Sequence, residues 1–149
     1  MKKIALITFV LFGFLLNAQI HDPVTWKTSV NKISDTEYEL TATATIEEGW
    51  HLYSQSVPED GPRPTVFTFE SSPNFLKKGN TKEGKGHEVN DPIFEMLIKY
   101  FDTKAAFKQR IKLKTDNKTF EIKGTVEFMV CNDTMCLPPK EVDLVFNIN

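Results

Sequence analysis

Cysteine is nearly missing from this chain: its 149 residues hold two, Cys131 and Cys136. Histidine is almost as sparse, and His21, His51 and His87 stand singly with no ligand spacing among them. Two cysteines need at least one further ligand to hold zinc, so no metal site and no cofactor is expected. An excess of basic charge is absent too. With 18 Lys and Arg against 20 Asp and Glu the net charge is -2, which argues against nucleic acid as a partner. There is no internal repeat, no low-complexity segment, and no helix-period pattern beyond the first apolar run.

That run is the one long hydrophobic stretch. Lys2-Lys3 precedes a largely apolar run of 13 residues from Ile4 to Leu16, and Asn17-Ala18-Gln19 follows. The order is that of a secretory signal peptide. As a helix the run covers only about 20 Å, short of the roughly 30 Å hydrocarbon core of a bilayer. Removal is therefore expected rather than anchoring, with residues 1–18 as the signal, within a residue or two, and 19–149 as one domain. No cysteine follows the run to carry a lipid. The domain that remains is expected to be soluble and mildly acidic, and large enough to fold without disulfide staples. Export would place its thiols in an oxidising compartment.

Period-two alternation fills the rest of the chain. Tyr38, Leu40, Ala42, Ala44 and Ile46 share one face of a strand, with Glu37, Glu39 and three threonines on the other. Phe67 and Phe69 alternate in a shorter run. Phe94, Met96, Ile98 and Tyr100 make another face, followed by Phe107, Ile111 and Leu113. Phe120, Ile122, Val126, Phe128 and Val130 form the next, and Val142, Leu144, Phe146 and Ile148 the last. With Val24 to Ile33, this predicts seven or eight strands separated by turn-like residues such as Ser34-Asp35, Asp60-Gly61-Pro62 and Asp116-Asn117. Many short strands with one wet face predict an all-β, immunoglobulin-like antiparallel sandwich, with a small barrel as the alternative. Ser71 to Asp91, rich in Gly, Lys, Asn and Glu, reads as one long irregular loop.

The two cysteines sit four residues apart between strand-like runs. Cys131 falls near the end of one strand and Cys136 near the start of the next, a placement that allows a Cys131–Cys136 disulfide. Closing so short a loop stabilises the fold by at most about 2–3 kcal/mol. Spacing and size leave two roles open, a structural clip or a working dithiol. Pro138-Pro139 stiffens the entry to an edge strand. The same rigidity would hold Cys136 in place and leave that edge to a partner. Asp133 either forms the turn or, if close to the sulfurs, opposes thiolate formation.

Cys131 to Pro139, preceded by Val126-Glu127-Phe128-Met129-Val130, resembles the active-site hairpin of the N-terminal periplasmic domain of the DsbD thiol:disulfide interchange family. Gly49-Trp50-His51-Leu52-Tyr53 is similar to that family's Gly-aromatic-aromatic-Leu-Tyr segment. The resemblance spans nearly the whole domain. It implies a periplasmic or otherwise extracellular protein that takes reducing equivalents from a thioredoxin-like or membrane-embedded donor and passes them to oxidised exported proteins. Cys136 matches the cysteine that forms mixed disulfides, and Cys131 the one that resolves them. Tyr53 matches an aromatic residue lining the site. His51 stands where better-known members carry tyrosine, and either tunes a thiol or caps a strand edge. The family shields its cysteines with an aromatic residue on a cap loop; Phe94 is the candidate here, although its alternation with Met96 and Ile98 also suits a plain core residue. The chain given ends at Asn149, so electrons are expected from a separate chain. Two rivals stand beside this reading. One is a secreted binding module whose disulfide is only structural; the other, an accessory of cytochrome c or metal-centre maturation, shares the chemistry and differs in partner.

Overall fold

The computed structural model describes residues 21–149; the expected signal peptide lies outside the described residues. The elements in order are β1 (Val24–Lys32), β2 (Glu37–Ile46), β3 (His51–Tyr53), β4 (Val66–Phe69), β5 (Phe75–Glu83), β6 (His87–Asp91), β7 (Met96–Phe101), β8 (Lys104–Leu113), β9 (Phe120–Phe128), β10 (Val130–Cys131) and β11 (Lys140–Ile148). Every pairing is antiparallel. One sheet runs β1-β2-β8-β5, a second β10-β3-β7-β6, and a third β11-β9-β4. The protein is an all-β, immunoglobulin-like sandwich.

Alternation decides which side chains fill it. Tyr38, Leu40, Ala42, Ala44 and Ile46 of β2 point inward beside Phe107, Ile111 and Leu113 of β8. They meet Ile122, Val126 and Phe128 of β9 and Leu144, Phe146 and Ile148 of β11 in one continuous core. Each of the largest of these side chains contributes on the order of 1.5–3 kcal/mol by leaving water. The first sheet is thus packed on the other two, and the Thr28 hydroxyl donates to the Val145 carbonyl at 2.7 Å where β1 meets β11.

Among the described residues eleven strands replace the seven or eight expected, and the differences have local causes. Ser71 to Asp91 is not one irregular loop but carries β5 and β6. Both lie at sheet edges, and most of their side chains face solvent, so no apolar period marks them. β5 is also broken by a register shift between Lys78 and Lys82, where Gly79 takes φ +71°. A side chain is strained there, and glycine is not. The buried Gln109 of β8 fills the bulge, donating to the Gly79 carbonyl at 3.2 Å and to the Arg110 carbonyl at 2.8 Å. The single strand expected from Phe120 to Val130 is two. β9 pairs with β11 up to Phe128, and after Met129 the chain enters the second sheet as β10. Phe94 lies not on a strand but in the turn between β6 and β7.

A polar network ties the first sheet to the second. Glu83 of β5 accepts hydrogen bonds from the Ser54 hydroxyl (2.6 Å), the Gln55 N–H (2.8 Å) and the Lys99 ammonium (2.8 Å). Burial opposes its ionisation most strongly. The bonds from Lys99, Ser54 and Gln55 outweigh that penalty and hold its carboxyl below the ordinary 4.5. A depressed folded-state value gives stability that is present above the unfolded value and lost as pH falls through the folded one. The resistance of the wild type to urea should therefore fall as pH drops below about 4.5, and Glu83→Gln should remove part of that slope while lowering stability at pH 7. Equal slopes in the two proteins would show that Glu83 is not a linked group.

Candidate functional site

β10 is only two residues long, and it hangs on β3 by two pairs, Val130 opposite Leu52 and Cys131 opposite His51. The alternation splits them. Leu52 and Val130 enter the main core, whereas Tyr53 and Cys131 join a second, smaller cluster with Ile98. Val57, Phe94, Met96, Tyr100, Met129 and Cys136 pack around that cluster.

Beyond β10 the chain turns back through Asn132 to Met135. The Asn132 side-chain oxygen accepts from the N–H groups of Thr134 (3.0 Å) and Met135 (2.9 Å) and from the Thr134 hydroxyl (3.0 Å). This is the Asn-centred turn that short polar side chains make with the backbone two and three residues on. The Asn132 N–H donates to Met135, and the Leu137 N–H to Val130, each at 2.9 Å. Cys131 and Cys136 face each other between these bonds as an isolated antiparallel bridge pair and form a disulfide. Pairs in that setting bring Cα atoms to about 4.5 Å. Here they are 4.0 Å apart, just under the roughly 4.4–6.8 Å usual for disulfide-linked residues. Cys136 does not open a long partner strand, as expected, but makes that one bridge. Pro138 and Pro139 have no N–H to extend the ladder, and the chain goes on to β11, which pairs with β9 instead.

The two sulfur-bearing residues are unequal. Cys131 is 1 % exposed, whereas Cys136 is only partly buried and its neighbours Met135 and Pro138 are exposed. Pro138 and Pro139 flank a cleft of about 390 Å³ whose apolar wall includes Phe128, Val130 and Leu137.

A turn covers the cluster from the other side. Asp91 ends β6 and is 3 % exposed. One of its carboxylate oxygens accepts the N–H groups of Ile93 (2.8 Å) and Phe94 (3.1 Å), and its main-chain carbonyl accepts that of Glu95 (2.8 Å). Glu95 takes φ +53° to close the turn. The other Asp91 oxygen accepts the Tyr53 hydroxyl at 2.8 Å. Burial, then the hydrogen bond and charge of Asp91, push the Tyr53 hydroxyl far above its ordinary value, so it remains a donor at any physiological pH. Phe94 is thereby set edge-on to the Tyr53 ring, centroids 6.0 Å apart. Sequence reasoning missed Asp91, whose one local signal is the Asp-Pro dipeptide that favours a turn.

His51 sits at the rim. Its ring stacks on Tyr100 with centroids 4.3 Å apart, and its Nε2 lies 3.3 Å from the Asp133 carboxylate. Its Nδ1 is buried without a hydrogen-bond partner. Burial, then the negative charges of Asp102, Asp133 and Asp91, raise the Tyr100 hydroxyl. Asp133 itself is exposed, and its structural partner is His51. Thus Tyr53, His51, Phe94 and Asp133 converge on the hairpin that holds the cysteines, while Pro138 lies on its outer side. Among the described residues no cluster of three or more His, Cys, Asp or Glu could hold a metal.

The family model for the N-terminal domain of the thiol:disulfide interchange protein DsbD matches residues 20–146. The chain belongs to this family. With the Cys131–Cys136 bond, membership makes it a thiol:disulfide interchange domain with thiol–disulfide oxidoreductase chemistry in general. The fold is similar to that of the reduced DsbD N-terminal domain of Neisseria meningitidis, at 14 % identity and TM-score 0.55 over 83 % of this chain and 86 % of that one. It is also similar to the N-terminal periplasmic domain of ScsB from Proteus mirabilis, at 14 % identity and TM-score 0.50. That match covers 84 % of this chain and 44 % of the other, so this chain spans less than half of it. No curated protein sequence matches the chain.

The Tyr53–Asp91 bond is what fastens the β6–β7 turn to the floor of a DsbD-type site. Tyr53→Phe leaves a buried carboxylate oxygen without its donor, a loss of about 1–3 kcal/mol. Hydrogen exchange should then accelerate at the Ile93 and Phe94 amides more than in β2 or β8. Uniform acceleration across the domain would mean that the bond does not act locally on the turn.

Proposed function

We propose that this domain is a periplasmic shuttle of reducing equivalents, exported by its N-terminal segment. Its donor is a thioredoxin-like or membrane-embedded protein, and its acceptors are oxidised exported proteins. The observation that carries this reading is the unequal exposure of the two cysteines in one disulfide. A partner thiolate can approach only the outer sulfur, so Cys136 forms the mixed disulfide, and buried Cys131 resolves it. Membership in the DsbD N-terminal family and likeness to the N-terminal periplasmic domain of ScsB support the same reading. Tyr53 and Phe94 line and roof the disulfide, and Pro138 leaves the outer edge of the hairpin free of strand pairing, next to the apolar cleft.

Exchange proceeds in two displacements. The Cys136 thiolate attacks a sulfur of the acceptor's disulfide and releases one acceptor thiolate. The Cys131 thiolate then attacks Cys136 Sγ, which restores the internal disulfide and releases the second. Two electrons pass from the domain to the acceptor. Recharging by the donor runs the same steps backwards.

Cys131→Ala, expressed with its signal in a periplasm, should accumulate mixed disulfides through Cys136, visible on non-reducing gels and identifiable by mass spectrometry. Cys136→Ala should accumulate far fewer. Phe94→Ala should speed reduction of the disulfide by a small thiol, since it unroofs the cluster. A reduction potential far below about -300 mV, together with no trapped partner, would leave the structural clip as the correct reading.

A further inference from the structure

We infer that His51 is the proton acceptor for Cys131, with Asp133 fixing its tautomer, so that Asp133, His51 and Cys131 form a relay that prepares the resolving thiolate. This rests on the dithiol-exchange reading above and adds a residue to it. Three observations converge. His51 and Cys131 are directly opposite on antiparallel strands, which puts their Cβ atoms about 4.5–5.5 Å apart on one face. His51 Nε2 lies 3.3 Å from the Asp133 carboxylate, which only a ring N–H can satisfy, so the neutral ring carries its proton there and offers a lone pair at Nδ1. Nδ1 is buried and has no partner. A buried imidazole nitrogen left unpaired costs free energy, and the disulfide form has no S–H to offer it. Reduction supplies one, because Cys131 then carries a thiol on the strand beside it.

In the mixed disulfide, Nδ1 takes the proton of the Cys131 thiol. The thiolate attacks Cys136 Sγ, the Cys131–Cys136 bond forms, and the bond between Cys136 and the partner breaks with its electron pair going to the partner's sulfur. That sulfur leaves as a thiolate, and the imidazolium returns its proton to it or to water. In the opposite direction the imidazolium receives Cys131 as it departs from Cys136.

Other groups facing the ring are few. Tyr100 of β7 stacks on it and is held protonated by burial and by the charges of Asp102, Asp133 and Asp91. His87 of β6 lies on the far side of Tyr100, 6.4 Å from that ring, and faces Asp102 at 3.5 Å. Tyr53, two residues along β3, spends its hydroxyl on Asp91. None of these reaches Nδ1, so Cys131 is the group left to it.

The test uses the whole domain without any partner, which separates it from the shuttle. Ring-nitrogen NMR follows the His51 titration in the oxidised and reduced wild type, and ultraviolet thiolate absorbance follows Cys131 in the Cys136→Ala background. The His51 titration should change between oxidised and reduced protein. Adding His51→Gln should raise the Cys131 midpoint by about one pH unit, leaving about tenfold less thiolate near neutrality. Asp133→Asn, on an exposed loop where folding is not at stake, should shift the Cys131 midpoint in the same direction as His51→Gln, by a smaller amount. If His51→Gln fails to fold, the oxidised-against-reduced comparison and Asp133→Asn decide alone. Identical His51 titrations in both redox states, or a thiolate midpoint indifferent to His51, would overturn the relay. A domain that shows the coupling but traps no partner would sink the shuttle and leave the relay standing.

Discussion

Two residue pairs, Val130 on Leu52 and Cys131 on His51, hold the hairpin in the second sheet, and everything at the site depends on their register. A slip of one residue turns every side chain to the opposite face. Cys131 would then enter the main core, and Val130 would face the rim. Since two pairs cannot supply much free energy, the register must be fixed elsewhere. The long β9–β11 ladder does this from one side, because Phe128 is already locked opposite Lys140 two residues before Val130. The β3–β7 pairing does it from the other, placing Tyr53 against Tyr100.

The disulfide adds little to that arrangement. Its loop is short, and the entropy it removes from the unfolded chain amounts to about 2 kcal/mol. The core of β2, β8, β9 and β11 carries the fold whether or not the bond is closed. A redox domain needs this division, since its partner must recognise the same surface in both states. The small cluster around Tyr53, Ile98 and Cys131 is correspondingly separate from the main core.

How much of this can be read from the chain follows from which side chains are buried where. β2, β8, β9 and β11 each bury every second residue, so their period is written in the sequence. β5 and β6 lie at sheet edges and are polar on both faces for most of their length, and β3 and β10 are too short to show a period at all. The cysteines announce themselves by spacing, and His51 and Tyr53 by a five-residue resemblance. Phe94 was legible as a candidate, but its apparent alternation with Met96 was misleading, because a turn lies between β6 and β7. Asp91 could not be read, since its partner Tyr53 is 38 residues away and only the fold brings them together.

The geometry of the hairpin also explains why the two cysteines have different surroundings although they sit in one loop. Cys131 ends a strand that is paired to β3 and is therefore drawn against the sheet, under Tyr53 and Phe94. Cys136 is held only through the bridge, the Leu137–Val130 hydrogen bond and the Asn132-centred turn. The two prolines that follow end its pairing, because they have no N–H groups to donate. Asymmetry of access is thus set by backbone hydrogen bonding rather than by the side chains of the site. Side chains act on what remains: in the exchange and relay proposed above, Phe94 screens the approach to the bond, and the His51–Asp133 pair takes the proton that the inner thiol must lose.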